Sequence, residues 1–269
     1  MIHVITVHFQ SDKWIDVQLA YLRRNITEPY RVVANLEDVP GGHEAKFDLV
    51  VEAKRHHSGK LNLLAAEVSS TAHPDDLLMF IDGDAFPISD PMPLVHKALE
   101  ESTLVAVRRD ENNGDRQPHP CFAVISVRDW DRLHGDWSPG YCWPDDRGRM
   151  VTDTGGNFLA ALDRSEEPWT PILRSNRHNA HPLWFAIYGD VVYHHGAGFR
   201  DPMSRTILDS QSSRWPAGEK IPVVGGLVRK ANKARFRHWK TQQVSENRRM
   251  LDEVFDQIVA DPEFYRRFL

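Results

Sequence analysis

Apolar and polar positions along the first 110 residues switch repeatedly between two periods. Ile2–Phe9 is rich in β-branched and apolar residues and predicts a strand. Lys13–Asn25 carries Trp14, Val17, Leu19, Tyr21 and Leu22 at mixed helical spacing. Tyr30–Leu36 and Phe47–Val51 predict short strands. Ser58–Ser70 sets Leu61, Leu64, Ala65 and Val68 at i, i+3, i+4 and i+7, the stripe of an amphipathic helix. Leu77–Ile81 is an unbroken apolar run after Pro74-Asp75-Asp76 and predicts a buried strand. Alternating β and α pieces with buried strands predict an α/β fold with a mixed, mostly parallel sheet flanked by helices. Ligands of such sheets gather at the carboxyl ends of strands, which here means Val7–Phe9 and Asp82–Asp84.

Beyond residue 110 the pattern is less regular. Thr103–Val107, Phe122–Val127, Leu183–Tyr188 and Asp190–His194 predict strands, and Asp110–Pro120 predicts a polar loop. The stretch 134–152, dense in Gly, Pro, Trp and Asp, predicts a surface loop near function. Thr152–Leu162 predicts a helix with Asp153 or Thr154 as its N-cap. From about Gly226 the tail predicts two or three helices, and there is no internal repeat.

Composition narrows the class. The chain has 269 residues, 41% of them hydrophobic, with 12 Phe and 8 Trp, which suits a folded chain of one large or two small domains. No apolar run nears the roughly 20 residues of a membrane span. The amino-terminal residues read as a strand without a basic leader, so a cytoplasmic location is expected. Cys121 and Cys142 are the two cysteines, too few for a disulfide scaffold or a four-cysteine zinc site. Net charge is -5, which does not point to nucleic acid as a partner. It is unevenly spread: residues 227–249 hold eight Lys/Arg against one acid. The basic stripe at 228–240, with Phe236 and Trp239 beside its arginines, reads either as a solvated helix face or as a peripheral contact with anionic lipid.

Three motifs carry candidate chemistry. Leu77-Leu78-Met79-Phe80-Ile81-Asp82-Gly83-Asp84 is an apolar strand that ends by presenting two carboxylates two residues apart. Like charges that close repel unless a cation sits between them, and oxygen ligands suit Mg²⁺ or Mn²⁺. Gly83 permits a turn and close approach of a ligand to the backbone. The plainer reading is a solvated turn. Tyr193-His194-His195-Gly196-Ala197-Gly198-Phe199-Arg200 runs a strand into two imidazoles, which can ligate Mn²⁺-like ions, then into glycines and an arginine fit for phosphate. Structural histidines are the alternative. His57-Ser58-Gly59-Lys60-Leu61-Asn62 opens a helix, where free amides and a lysine suit an anion, although the P-loop spacing is absent.

Taken in order, Gly59-Lys60-Leu61-Asn62, then Asp82-Gly83-Asp84, then Asp153 near a helix start, then His195-Gly196-Ala197-Gly198, the motifs resemble the GT-A class of nucleotide-sugar-dependent glycosyltransferases. The resemblance covers about residues 1–200. It implies a Rossmann-like catalytic domain over 1–205, with a nucleotide-binding half of about 1–110 and an acceptor half of about 111–205, and a C-terminal helical extension over 206–269. It implies a nucleotide-diphosphate sugar donor, UDP- or GDP-linked, a Mn²⁺ or Mg²⁺ cofactor, and a small-molecule, glycan or lipid-linked acceptor. Asp84 would be a direct metal ligand, His195 the second with His194 as runner-up, and Asp82 would touch metal or ribose. Thr6, His8 and Phe9 would line the nucleotide pocket. Lys60 and Asn62 would reach the phosphates or donor sugar, as Gly83, Gly198 and Arg200 would approach the diphosphate. Asp153 occupies the place of the acidic residue that faces the sugar in that class, and would be its catalytic residue as base for inversion or positioner for retention; helix capping is its other reading. Thr152 stands where that class usually has a second acid. Trp137 and Tyr141, in the aromatic loop, are acceptor-site candidates, or anchors of that loop on the core.

Rival readings differ in chemistry. A haloacid-dehalogenase-type phosphatase also uses an apolar strand and Asp-x-Asp, but at its first strand, and Ala85-Phe86-Pro87 departs from its continuation. A sugar-1-phosphate nucleotidyltransferase would need a Gly-rich basic loop near Phe9. The third alternative is a non-catalytic nucleotide-sugar-binding protein.

Overall fold

The chain's central strands are apolar on both sides, so helices must cover both faces of the sheet they form. In the computed structural model, which describes residues 1–112, 114–203 and 225–269 (main chain only for 225–227), that is the arrangement. Two units divide it: residues 1–199 with 265–269, and residues 200–264. The expected domain boundary at 205/206 lies outside the described residues.

In the first unit, β1 (Ile2–Phe9), α1 (Ile15–Asn25), β2 (Tyr30–Glu37), β3 (Leu49–Val50), α2 (His57–Ser69) and β4 (Leu77–Asp82) follow the predicted alternation. Next come β5 (Ala85–Pro87), α3 (Met92–Leu99), β6 (Leu104–Val107), β7 (His119–Ser126) and α4 (Val127–Arg132). A two-stranded ribbon of β8 (Trp143–Pro144) and β9 (Met150–Val151) precedes α5 (Gly156–Arg164), β10 (Trp169–Ile172), β11 (Ala186–Tyr188) and β12 (Val192–His194). The main sheet has the order β10-β6-β7-β4-β1-β2-β3. It is parallel except for β7, which runs antiparallel to both β4 and β6.

Strand alternation sorts the core. On β4, Met79 and Ile81 face Ile15, Leu19 and Leu22 of α1 and Val95 of α3. Leu78 and Phe80 face Leu61, Leu64 and Val68 of α2, Trp130 of α4 and Phe158 of α5. The same rule on β1 turns Thr6 and His8 toward α1 and Phe9 toward α2.

Three expectations are corrected. Gly155, in the left-handed region at φ 93°, is the N-cap of α5, so neither Asp153 nor Thr154 caps it. The tail, expected as two or three helices, forms one helix, α6 (Gly225–Ala260), within the second unit, before a short 3₁₀ turn at Phe264–Phe268. Few Gly or Pro interrupt that stretch, so nothing breaks the hydrogen-bond ladder. Trp137 is not at an acceptor surface: its ring is fully buried edge-on to Phe80 at 5.0 Å and Phe158 at 5.0 Å. The aromatic loop is therefore pinned to the core. Trp137→Ala is expected to lower unfolding free energy by about 3–5 kcal/mol in urea titration, the usual cost of deleting a buried Trp.

Candidate active site

The site is made where two sheets meet. β4 ends at Asp82, and after the Gly83-Asp84 corner the chain enters β5, which belongs to a three-stranded antiparallel sheet of order β11-β12-β5. Register pairs His194 of β12 with Ala85 of β5. This brings His194 beside the carboxylates: its Nε2 lies 3.6 Å from Asp84 Oδ1 and 3.8 Å from Asp82 Oδ2. Ligand atoms of Asp82, Asp84 and His194 all fall within 4.8 Å of one another. Two oxygens and one imidazole nitrogen form a donor set that fits a Mn²⁺-like cation.

Electrostatics at the corner favour a charged Asp84. Burial acts to raise its pKa, but His194, the Gly198 N–H at 2.9 Å from Oδ2, and His195 together hold it well below the usual carboxylate range. Burial likewise opposes charge on His194. The charge of Asp84, with hydrogen bonding to Asp84 and Cys121, outweighs it and holds the imidazole well above its ordinary value. Cys121, whose own thiol is pushed up by burial, hydrogen-bonds His194. Asp82 is less enclosed, and its Oδ1 sits 3.0 Å from His57 Nε2 at the start of α2. Gly198 has to be glycine, because a Cβ there would lie 2.7 Å from both Cβ and Oδ2 of Asp84.

Several predicted residues take other places. His195, expected as the ligand with His194 as runner-up, is not in the group that Asp82, Asp84 and His194 form. Its backbone N–H donates to the Asp84 carbonyl at 3.0 Å, while its ring packs against Trp14 at 4.6 Å and Phe185 at 5.1 Å, with Nδ1 on the Tyr193 hydroxyl. Thr6 and His8 are fully buried beneath the corner, both on Gln18, and so do not line an open pocket. Lys60 is buried in an ion pair with Glu37, 4.7 Å above the Phe9 ring at the edge of the sheet. Asn62 points elsewhere: at about 100° per residue, positions 60 and 62 face opposite ways. Its side chain donates to Asp136 at 2.6 Å and accepts the Trp137 N–H at 2.9 Å, holding the aromatic loop instead of a sugar. Gly83 serves packing, since a Cβ would meet Val7 O at 2.5 Å and His8 Nδ1 at 2.9 Å. Arg200 opens the second unit, with its guanidinium 3.4 Å from the Met203 carbonyl. Tyr141 is exposed, 42% of its surface open.

Asp153 is half-exposed, its Oδ1 accepting the Thr154 N–H at 2.8 Å and its Oδ2 3.5 Å from Arg109. Arg109 is enclosed between Asp153 and Asp115, the latter at 3.1 Å; burial works against its charge, and the two carboxylates raise its pKa above the ordinary arginine value. Gln18, Arg109 and Cys121 escaped sequence reasoning. Gln18 is a polar residue on the buried side of a helix between Ile15 and Leu22, and that misplaced polarity was its one visible signal.

No family model matches the chain, and no curated protein matches it. Among solved structures, it is similar to a mannosyltransferase from Pyrobaculum calidifontis in complex with GDP-Man and Mn²⁺, at 12% identity, over 91% of this chain and 73% of that one, with a TM-score of 0.47. It is also similar to the glycosyltransferase GlyE of Streptococcus pneumoniae TIGR4, at 12% identity over 63% of this chain and 44% of that one, with a TM-score of 0.40. TarS of S. aureus is similar at 13% identity over 51% of this chain and 30% of that one, with a TM-score of 0.37. The matched part thus spans less than half the length of the last two. These are partial likenesses of chain path, and the chemistry of the site rests on its own side chains.

Burial lowers the His8 pKa from 6.5 to about 4. The unfolded chain therefore takes up this proton first, and the stability that the neutral ring contributes above pH 6.5 is lost as pH falls toward 4. His8→Gln keeps a donor and removes the titration. Between pH 7 and pH 5 the wild type is expected to lose about 2 kcal/mol more than the variant in urea unfolding.

Proposed function

We propose that the chain transfers a sugar from a nucleotide-diphosphate sugar to an acceptor hydroxyl, with Mn²⁺ or Mg²⁺ held by Asp84, Asp82 and His194. The observation that supports this reading is the convergence of two carboxylates and an imidazole at the carboxyl edge of a mostly parallel sheet, beside the glycine amide at 198. What a bound divalent cation supplies is neutralisation of the charge that builds on the departing diphosphate. The chain's own groups do the rest. Asp84 is kept ionised by its neighbours. His194 gives up its proton to act as a donor atom, so metal uptake releases protons and strengthens as pH rises. Phe9, over which Lys60 is held, offers an apolar rim for a base. Asp153, open to solvent and steadied by Arg109, takes the proton of the acceptor hydroxyl.

A thermal-shift screen of UDP- and GDP-sugars with and without MnCl₂ tests the reading. A donor is expected to raise the melting temperature only with Mn²⁺, and Asp84→Asn is expected to abolish that rise. Asp153→Asn is expected to keep the shift and lose about 10²–10⁴-fold in turnover. Equal shifts with and without Mn²⁺ in both wild type and Asp84→Asn would remove the metal from the account.

We also propose that α6 rests on anionic lipid, bringing the chain to a lipid-linked acceptor. Among the described residues no helix is long and apolar enough to cross a membrane. At about 100° per residue, Arg229, Lys230, Lys233, Arg237 and Lys240 share one arc of about 100°, directly beside the arc of Val228, Phe236 and Trp239. The Phe236 and Trp239 rings lie 5.7 Å apart. Each basic residue near an anionic surface is worth about 1 kcal/mol, so Lys233→Gln/Arg237→Gln/Lys240→Gln is expected to bind vesicles of equal phosphatidylglycerol and phosphatidylcholine about 100-fold more weakly. Sedimentation showing the same binding to pure phosphatidylcholine, or none, would discard the idea.

A further inference from the structure

Gln18 lies on α1 with its side chain fully enclosed, and the cation reading above makes no use of it. Its carboxamide can donate two hydrogens and accept through one oxygen. All of that capacity is engaged. Nε2 donates to the Asp82 carbonyl and to the Ala85 carbonyl, both at 2.8 Å. Oε1 accepts from Thr6 Oγ1 at 3.0 Å and faces His8 Nε2 at 3.2 Å. The amide fits only this way round, because a flipped oxygen would oppose two carbonyls that can only accept. Burial keeps the His8 ring neutral, and the bond to Gln18 places its hydrogen on Nε2.

The two carbonyls bracket Gly83 and Asp84. One side chain therefore ties both ends of the corner that carries the carboxylates to β1 and α1. Groups behind a ligand set its aim, and a functional constellation tolerates only about 0.5 Å of error. We propose that Gln18 is a positioning residue for the cation site: its amide holds the Asp82–Asp84 corner so that both carboxylates and His194 converge before a cation arrives. This deepens the reading of the site given above and rests on it.

The rival role, a buried amide that merely stabilises the fold, is separable. Gln18→Met preserves length and volume and deletes all four bonds. Thr6→Val deletes one. Leu104→Ala opens a cavity far from the corner: Leu104 pairs with Ile125, which pairs with Leu78, at the other end of β4 from Asp82. Mn²⁺ binding without nucleotide, followed by the paramagnetic resonance of free Mn²⁺, is the first readout. The dissociation constant is expected to rise about 10–100-fold in Gln18→Met, the usual effect of losing a group that supports a ligand, and by less in Thr6→Val. Leu104→Ala is expected to lower the melting temperature and leave the constant unchanged.

Hydrogen exchange on the metal-free protein is the second readout. The His195 and Gly198 amides donate to the Asp84 carbonyl and carboxylate, at 3.0 and 2.9 Å. They are expected to exchange faster in Gln18→Met and not in Leu104→Ala. A wild-type Mn²⁺ constant in Gln18→Met, or equal acceleration of these amides in Leu104→Ala, overturns the proposal. Should Gln18→Met fail to fold, Thr6→Val decides it, and an unchanged constant there overturns it. A wild-type chain that takes up no Mn²⁺ sinks the cation reading itself, while the exchange comparison still decides whether Gln18 holds the corner.

Discussion

A carboxylate shut away from water has to be compensated or it will not stay charged. Asp84 is in that position, and much of the local architecture follows from it. The compensation comes from three directions: an imidazole from β12, a backbone amide at a position that admits only glycine, and the register that brings β12 alongside β5. Each of these acts in the direction that keeps the carboxyl ionised. The cluster is therefore a charge arrangement first, and its capacity to hold a cation is a consequence of it.

Much of the fold was legible because the dominant signals were strong and local. Leu77–Ile81 and the i, i+3, i+4, i+7 stripe of Leu61–Val68 each admit one reading, and both elements form as predicted within a residue or two. The corner Asp82–Asp84 stood out as two carboxylates closing a buried strand, which the sequence left between a cation site and a solvated turn. What stayed hidden depends on long-range pairing. Whether His194 or His195 faces the acids is decided by how β12 docks on β5 more than a hundred residues earlier, and no local pattern encodes that. Of the two readings open for Trp137 the core anchor is the one that forms, and Asn62 was misplaced because its role was carried over from the Gly59-Lys60-Leu61-Asn62 series by resemblance. In fact Asn62 and Asp136 staple the aromatic loop, and the tryptophan fills the space beneath it.

Lys60 shows how burial changes the meaning of a motif. A lysine at the opening of a helix looks like an anion receptor in a string of letters. Enclosed and paired with Glu37, it is a fixed dipole at the sheet edge whose positive end is already spoken for. The cations of α6 are a different case. Arg229, Lys233 and Arg237 recur at spacing four with no counter-charge in between, and repulsion along that row weakens an isolated helix.

The donors of the site belong to different sheets: Asp82 closes a strand of the seven-stranded one, and His194 closes a strand of the three-stranded one. Anything lodged between them acts as a rivet across the seam. The firmness of the whole body then becomes tied to supply, since by mass action each tenfold excess of such a ligand over its dissociation constant adds about 1.4 kcal/mol against unfolding. Scarcity would leave the seam to side-chain contacts alone, so a cation taken up by these atoms would make the body's stability report how much of that ion the surroundings provide.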